Sequence, residues 1–308
     1  MDLFLVFSKV FVIFLLILVG YILPRTGLVS EQGQKDITNV LLYVFLPCAL
    51  LRAFQVPFDK VVFFDGLKIT VIMALVYLST TAVSIALSKF ISQEKEKRAI
   101  LVLGMVLPNV GFMGYPLVDS LLGPEYIFYA VMGNISFEII SWSIMATLIS
   151  KATNSNSNIN LFKKLATTPP LIAIAIGLLT YFSPFTIPEP FISTINLLGN
   201  GMTPVAMLIV GMSLSKADLK KILFQKELYV VSAIRLLIYP LAFMLLFKLF
   251  GIDGIIYSMP LILLSMPSAG YTSIISGKFG ADATFASEIV TMCNLISLVT
   301  IPIILSMM

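Results

Sequence analysis

The chain has 308 residues, of which 58% are hydrophobic and only 12% charged, and its mean hydropathy is +1.01. A soluble domain carries about 25% charged residues, so this composition excludes an ordinary soluble protein and points to an all-α polytopic membrane protein. The net charge of +4 is modest, calls for no nucleic-acid partner, and comes with no histidine at all, which excludes Ser-His catalysis and a His-ligated zinc.

Runs of roughly 17 to 25 mostly apolar residues mark membrane spans. Ten are expected, at 3–23, 37–56, 66–88, 99–122, 126–149, 169–183, 190–214, 228–250, 254–277 and 283–306. The first has no basic leader and no small-residue cleavage site, and its apolar run is about twice that of a signal peptide; it reads as a retained span. Cys48 and Cys293 fall inside apolar segments without ligand spacing and read as small core residues. No metal site and no cofactor are expected.

Span four is the stretch around which the chain is organised. Within it Pro108, Asn109, Gly111, Gly114 and Pro116 interrupt an otherwise apolar run. A proline removes a backbone donor and clashes with the carbonyl four residues back, so the helix should open here. Bare backbone at bilayer depth survives only where protein or a wet cavity satisfies it. Span five brings Asn134, Glu138 and Ser141 onto one helical face. The polar segment 151–168 at mid-chain reads as a central cytoplasmic loop between a first half, 1–150, and a second half, 169–308. Span eight contains Arg235, span nine Pro267, Ser268, Ala269 and Gly270, and span ten Glu288 and Asn294.

The interruptions recur at matching spacing. Pro47 and Pro108 stand 61 residues apart, Pro204 and Pro267 stand 63 apart, and Asn134 in span five has a counterpart in Asn294 in span ten. With five spans per half, the second copy must be inserted upside down relative to the first. Two inverted repeats with broken helices meeting at the midplane are a transporter architecture, and Pro47, Pro108, Pro204 and Pro267 are the expected breaks. Fourteen of the twenty Lys and Arg fall in loops after odd-numbered spans. The positive-inside bias then places both termini outside the cytoplasm, in a multi-pass protein of the cell membrane.

The segment PNVGFMGYPLV, followed by LLG and a Pro-Glu turn, resembles the N-x-G-F-x-G-x-P-L signature of the auxin efflux carrier family, which includes bacterial malate and malonate permeases. MPSAGYTSIISGKFGADATFASEIV and the terminal LISLVTIPI resemble that family's spans nine and ten. The resemblance covers nearly the whole chain. It implies ten transmembrane helices as two inverted five-helix repeats, with broken helices four and nine crossing in a transport domain. Spans one, two, six and seven would form a scaffold, often a homodimer. The long central loop of many plant carriers is missing, which suits a prokaryotic-type permease.

A half-helix beginning after a break offers unpaired N–H groups and a positive dipole end, a place for a carboxylate. Asn109, Gly111, Gly114, Tyr115 and Pro116 on one side, and Ser268, Ala269 and Gly270 on the other, are the expected substrate-binding residues. A charge at membrane depth is costly and marks function by default. Glu138 is accordingly the candidate titrating or cation-coupling group, with either a proton as coupling ion or a purely potential-driven uniport expected ahead of sodium coupling. Arg235 is expected either to partner Glu138, to aid the anion, or to snorkel to the interface. Glu288 reads as a solvated helix end, with Asn134 and Asn294 beside these charges. The expected function is alternating-access transport of a small organic anion across the lipid bilayer. The alternatives are a sodium-coupled carrier like the bile-acid symporters and a non-transporting receptor or scaffold.

Overall fold

The computed structural model describes residues 3–155, 167–183, 187–215 and 219–308. Most of the expected central loop, 151–168, lies outside the described residues, as do Lys163, Lys164 and Lys216 of the charge bias. The described residues form helices and no named strand. In chain order they are α1 (Leu3–Arg25), α2 (Glu31–Ala53), α3 (Lys60–Ile91), α4 (Lys95–Val106), α5 (Tyr115–Leu121), α6 (Pro124–Ala152) and α7 (Pro169–Phe182). There follow α8 (Glu189–Ser215), α9 (Leu219–Leu223), α10 (Lys226–Leu249), α11 (Gly254–Leu264), α12 (Tyr271–Lys278) and α13 (Ala283–Ser306).

Seven of these are long and apolar enough to cross a membrane: α1, α2, α3, α6, α8, α10 and α13. The remaining expected spans, 99–122, 169–183 and 254–277, fall on α4 with α5, on α7, and on α11 with α12. Each of those helices is shorter than the ~20 residues that a crossing takes. Phe11, Leu15 and Leu18 of α1, Leu75 of α3 and Leu245 of α10 are exposed, as expected of side chains that face lipid. Polar caps hold the ends of three helices. Ser30 accepts from the Gly33 N–H, Asp59 from Val61 and Val62, and Asp282 from Thr284 and Phe285.

Helices in a bilayer have no hydrophobic drive to associate, so small residues that admit close backbone contact decide packing. α1 packs along α8, where a Cβ on Gly211 would stand 2.0 Å from the Ile17 carbonyl oxygen and one on Gly20 would stand 2.3 Å from that of Leu208. α3 packs along α6 and is tied to it by hydroxyls. Thr70 donates to the Met132 carbonyl at 2.9 Å, and Ser136 donates to the Thr70 carbonyl at 2.7 Å.

Two of the four expected breaks are not breaks. α2 runs through Pro47, and α8 through Pro204. Before Pro47 the chain makes a π turn, Leu41–Phe45, and the same wide turn precedes Pro116 (Val110–Gly114) and Pro240 (Ile234–Ile238). A π turn carries the carbonyl that the proline ring would strike out of its way, and the helix resumes with proline in its first turn. α8 carries Pro204 without such a turn and packs closely on α2 beside it. Gly199 lies against the Ala49 backbone, a Cβ there standing 3.2 Å away, and Gly201 lies against the Phe45 ring.

Candidate functional site: the paired interruptions

α4 stops at Val106 because Pro108 cannot donate to it and because Leu107, the residue before the proline, is held extended at φ −84 and ψ 107. α11 stops at Leu264, ahead of Pro267. The two interruptions face each other as an antiparallel bridge between Pro108 and Ser268. Across it Asn109 N–H donates to the Pro267 carbonyl at 2.7 Å, and Ala269 N–H donates to the Leu107 carbonyl at 2.8 Å. Each break thus satisfies backbone groups of the other, which lipid could not do.

The carbonyls left over at the helix ends go to Arg235. Its Nε donates to Met266 at 3.1 Å, and its Nη1 to Met105 at 3.4 Å and Val106 at 3.5 Å. The side chain is 0% exposed, so Arg235 does not snorkel. No described carboxylate lies within ion-pair distance of it, Glu138 included.

Past the interruptions, helix begins again. Asn109 Oδ1 accepts from Phe112 N–H at 3.2 Å and so caps the segment that leads into α5, where Pro116 stands in the first turn. Ser268 Oγ lies 3.2 Å from Thr272 Oγ1 in the mirrored turn, and Gly270 is the N-cap of α12. The N–H groups of Gly111, Gly270 and Tyr271 donate to no described residue. A Cβ built on Gly111 or on Gly270 meets no described atom within 4 Å, whereas one on Gly114 meets Val110 at 3.3 Å and Leu263 at 3.5 Å. Bare donors and open space therefore coincide at Gly111 and Gly270, while Gly114 is spent on packing.

Tyr271 links this turn to the buried acid. Its hydroxyl donates to Glu138 at 3.2 Å and 3.4 Å, and its ring packs edge-on against Phe137 and Trp142. Tyr115 is buried, with its hydroxyl in the electrostatic field of Glu138, Tyr77 and Tyr271. Asn134 and Asn294 are both buried, and each has an Oδ1 with no described partner, while Asn294 Nδ2 donates back to the Val290 carbonyl. Glu288 is buried instead of solvated and accepts from Gln225 Nε2 at 2.8 Å, because the turn before α10 folds over the start of α13.

α2 and α8 close against α5 on the other side of Tyr115. Arg52 of α2 pairs with Asp119 of α5 at 3.6 Å and bonds the Asn200 side chain of α8. Only a void of about 10 Å³, room for one water, lies between Arg52, Tyr115, Asp119 and Met202.

The family described as "Membrane transport protein" matches residues 5–305. The chain belongs to it: this is the auxin efflux carrier family. Similar members include an uncharacterized transporter of Methanocaldococcus jannaschii, 25% identical, with 95% of each chain covered. The uncharacterized transporter YfdV of Escherichia coli is 22% identical over 94% of each chain. A protein of Rhizobium meliloti named "Putative malonate transporter" is 22% identical over 93% of this chain and 90% of its own. Membership of the auxin efflux carrier family makes this a membrane protein of a transporter family.

In this member of the auxin efflux carrier family, sequence reasoning missed Tyr271 as the hydroxyl on Glu138. It stands four residues beyond Pro267, and nothing in the local pattern ties it to a helix more than a hundred residues away. Arg52 and Asp119 were equally silent, since only the fold brings α2 beside α5.

Proposed function

We propose that this chain is a secondary transporter that carries a small organic anion, held by a carboxylate at Gly111 and Gly270, by alternating access. The observation that carries the reading is the coincidence of undonated N–H groups at Gly111, Gly270 and Tyr271 with open space at both glycines. Two helix starts each bear roughly half a positive charge. Together they match one carboxylate without a basic side chain in contact with it. Asn109, Ser268 and Ala269 hold the two turns together, and Tyr115 and Pro116 fix the start of α5.

The same geometry supports ten spans in two inverted repeats, 1–150 and 169–308, with the fourth and ninth interrupted where they meet. α1, α2, α7 and α8 serve as the scaffold, in a homodimer, and the elements bearing the interruptions move against it. Both termini face away from the cytoplasm. Glu138, hydrogen-bonded to a tyrosine of the binding turn, is the group that takes up and releases a coupling proton. Where no proton is coupled, the membrane potential drives the anion, at about 2.3 kcal/mol per charge per 100 mV.

The relative named for malonate makes malonate the first probe. A thermal-shift screen of the purified protein against malonate, malate and aromatic monocarboxylates reports a bound ligand as a raised midpoint. Uptake in proteoliposomes under imposed pH, sodium and potassium-diffusion gradients then assigns the driving force. A receptor or scaffold shows a midpoint shift with no uptake, and that result would sink the proposal.

A further inference from the structure

Arg235 is the one Lys or Arg that is buried among the described residues, and it does something other than pair with an acid. Its three hydrogen bonds end on carbonyls that the interruptions have robbed of helical donors. The N–H that would serve Met105, that of Asn109, is committed to Pro267, and the N–H that would serve Val106, that of Val110, bonds Pro108 at 2.9 Å. The ionisable groups that act on it electrostatically are Tyr77, Cys293 and Tyr239, none of them a carboxylate. An unpaired buried cation costs several kcal/mol. Hydrogen bonding alone does not require that charge, because a neutral amide would also donate to carbonyls.

Electrostatics supplies a reason for the charge. Each C-terminal helix end bears about half a negative charge, so the ends of α4 and α11 together present about one. Unwound carbonyls and half-helix ends of this kind coordinate sodium or protons in other transporters. We propose that the Arg235 guanidinium is the crossover's own cation, standing where these carbonyls would otherwise draw a free sodium ion, so that an anion is carried without one. The inference rests on the transport reading above. With the C-terminal ends balanced internally, the full positive field of the opposite helix starts is left for the carboxylate.

The test separates charge from hydrogen bonding. Arg235→Gln keeps donors and loses the charge, Arg235→Lys keeps the charge, and Arg235→Ala opens the volume to a soluble cation. Malonate counterflow and the thermal midpoint are measured for each in choline, sodium and millimolar guanidinium buffers. Wild type is expected to be indifferent to sodium in both readouts. Arg235→Gln should lose tenfold or more of its counterflow in choline and recover part of it in sodium. Arg235→Lys should keep a measurable share in choline, and guanidinium should raise the midpoint of Arg235→Ala by several degrees while leaving wild type unmoved. An Arg235→Gln variant that matches wild type in choline, or wild type that needs sodium, overturns the proposal. Should Arg235→Ala not fold, the Gln and Lys variants decide the matter alone. Should wild type move no carboxylate, the transport reading fails, while the guanidinium response of Arg235→Ala still decides whether a cation belongs there.

Discussion

A methyl group added at Gly111 or Gly270 separates the needs of the fold from those of the ligand. Gly270 has φ −56 and ψ −19, a conformation that alanine adopts freely, and Gly111 lies in a π turn with no positive φ. A Cβ at either meets no described atom within 4 Å. The protein alone should therefore tolerate Gly111→Ala and Gly270→Ala, and even gain about 0.4–1 kcal/mol from the stiffer unfolded chain. A bound carboxylate would meet the new methyl directly. Overpacking of that size costs about 1–3 kcal/mol, or about 5- to 140-fold in affinity. The assay is the KM for labelled malonate in proteoliposomes, read beside the thermal midpoint of the same preparations. Gly104→Ala is the contrast, since its Cβ would stand 2.6 Å from Ile289 Cγ2 and should cost stability. Unchanged KM in both Gly111→Ala and Gly270→Ala would refute the placement of the anion.

Asn109→Ala removes a side chain that caps Phe112, so it should lower the midpoint by about 1 kcal/mol of stability as well as the apparent affinity; Ser268→Ala should lower affinity with a smaller stability loss. Glu138→Gln should abolish the response of uptake to an imposed pH gradient while substrate binding, read by thermal shift, persists; a full pH response would remove Glu138 from coupling. Gly211→Val pushes a side chain into the Ile17 carbonyl and should leave no monodisperse protein by size-exclusion chromatography, whereas a folded variant would show that α1 and α8 separate at little cost.

The apolar runs and the interruptions at Pro108 and Pro267 were legible because proline and glycine act locally. Pro108 and Pro267 each strip a donor from a helix with no π turn ahead of the proline. Pro47 and Pro204 carry the same local signal and yet sit in continuous helices; a π turn precedes Pro47, and nothing in the structure explains why α8 runs on through Pro204. Spacing paired Pro47 with Pro108 and Pro204 with Pro267, and only the family resemblance implied that spans four and nine cross; the bonds between the two interruptions, from Asn109 to Pro267 and from Ala269 to Leu107, are tertiary. Arg235 was marked as costly by its depth, and its partners were not readable, since backbone carbonyls carry no sequence signal. Glu288 read as solvated because it stands near a helix start, and Gln225, from another element, covers it.

Counterflow tests the central claim most directly, because it needs neither a known coupling ion nor a gradient. Proteoliposomes are loaded with unlabelled malonate, malate or an aromatic monocarboxylate and diluted into the labelled acid in sodium-free buffer at equal pH. At least one acid should accumulate transiently above equilibrium, with the overshoot reduced in Gly111→Ala and Gly270→Ala. No overshoot with any of the acids in folded wild-type protein would contradict a carboxylate carrier.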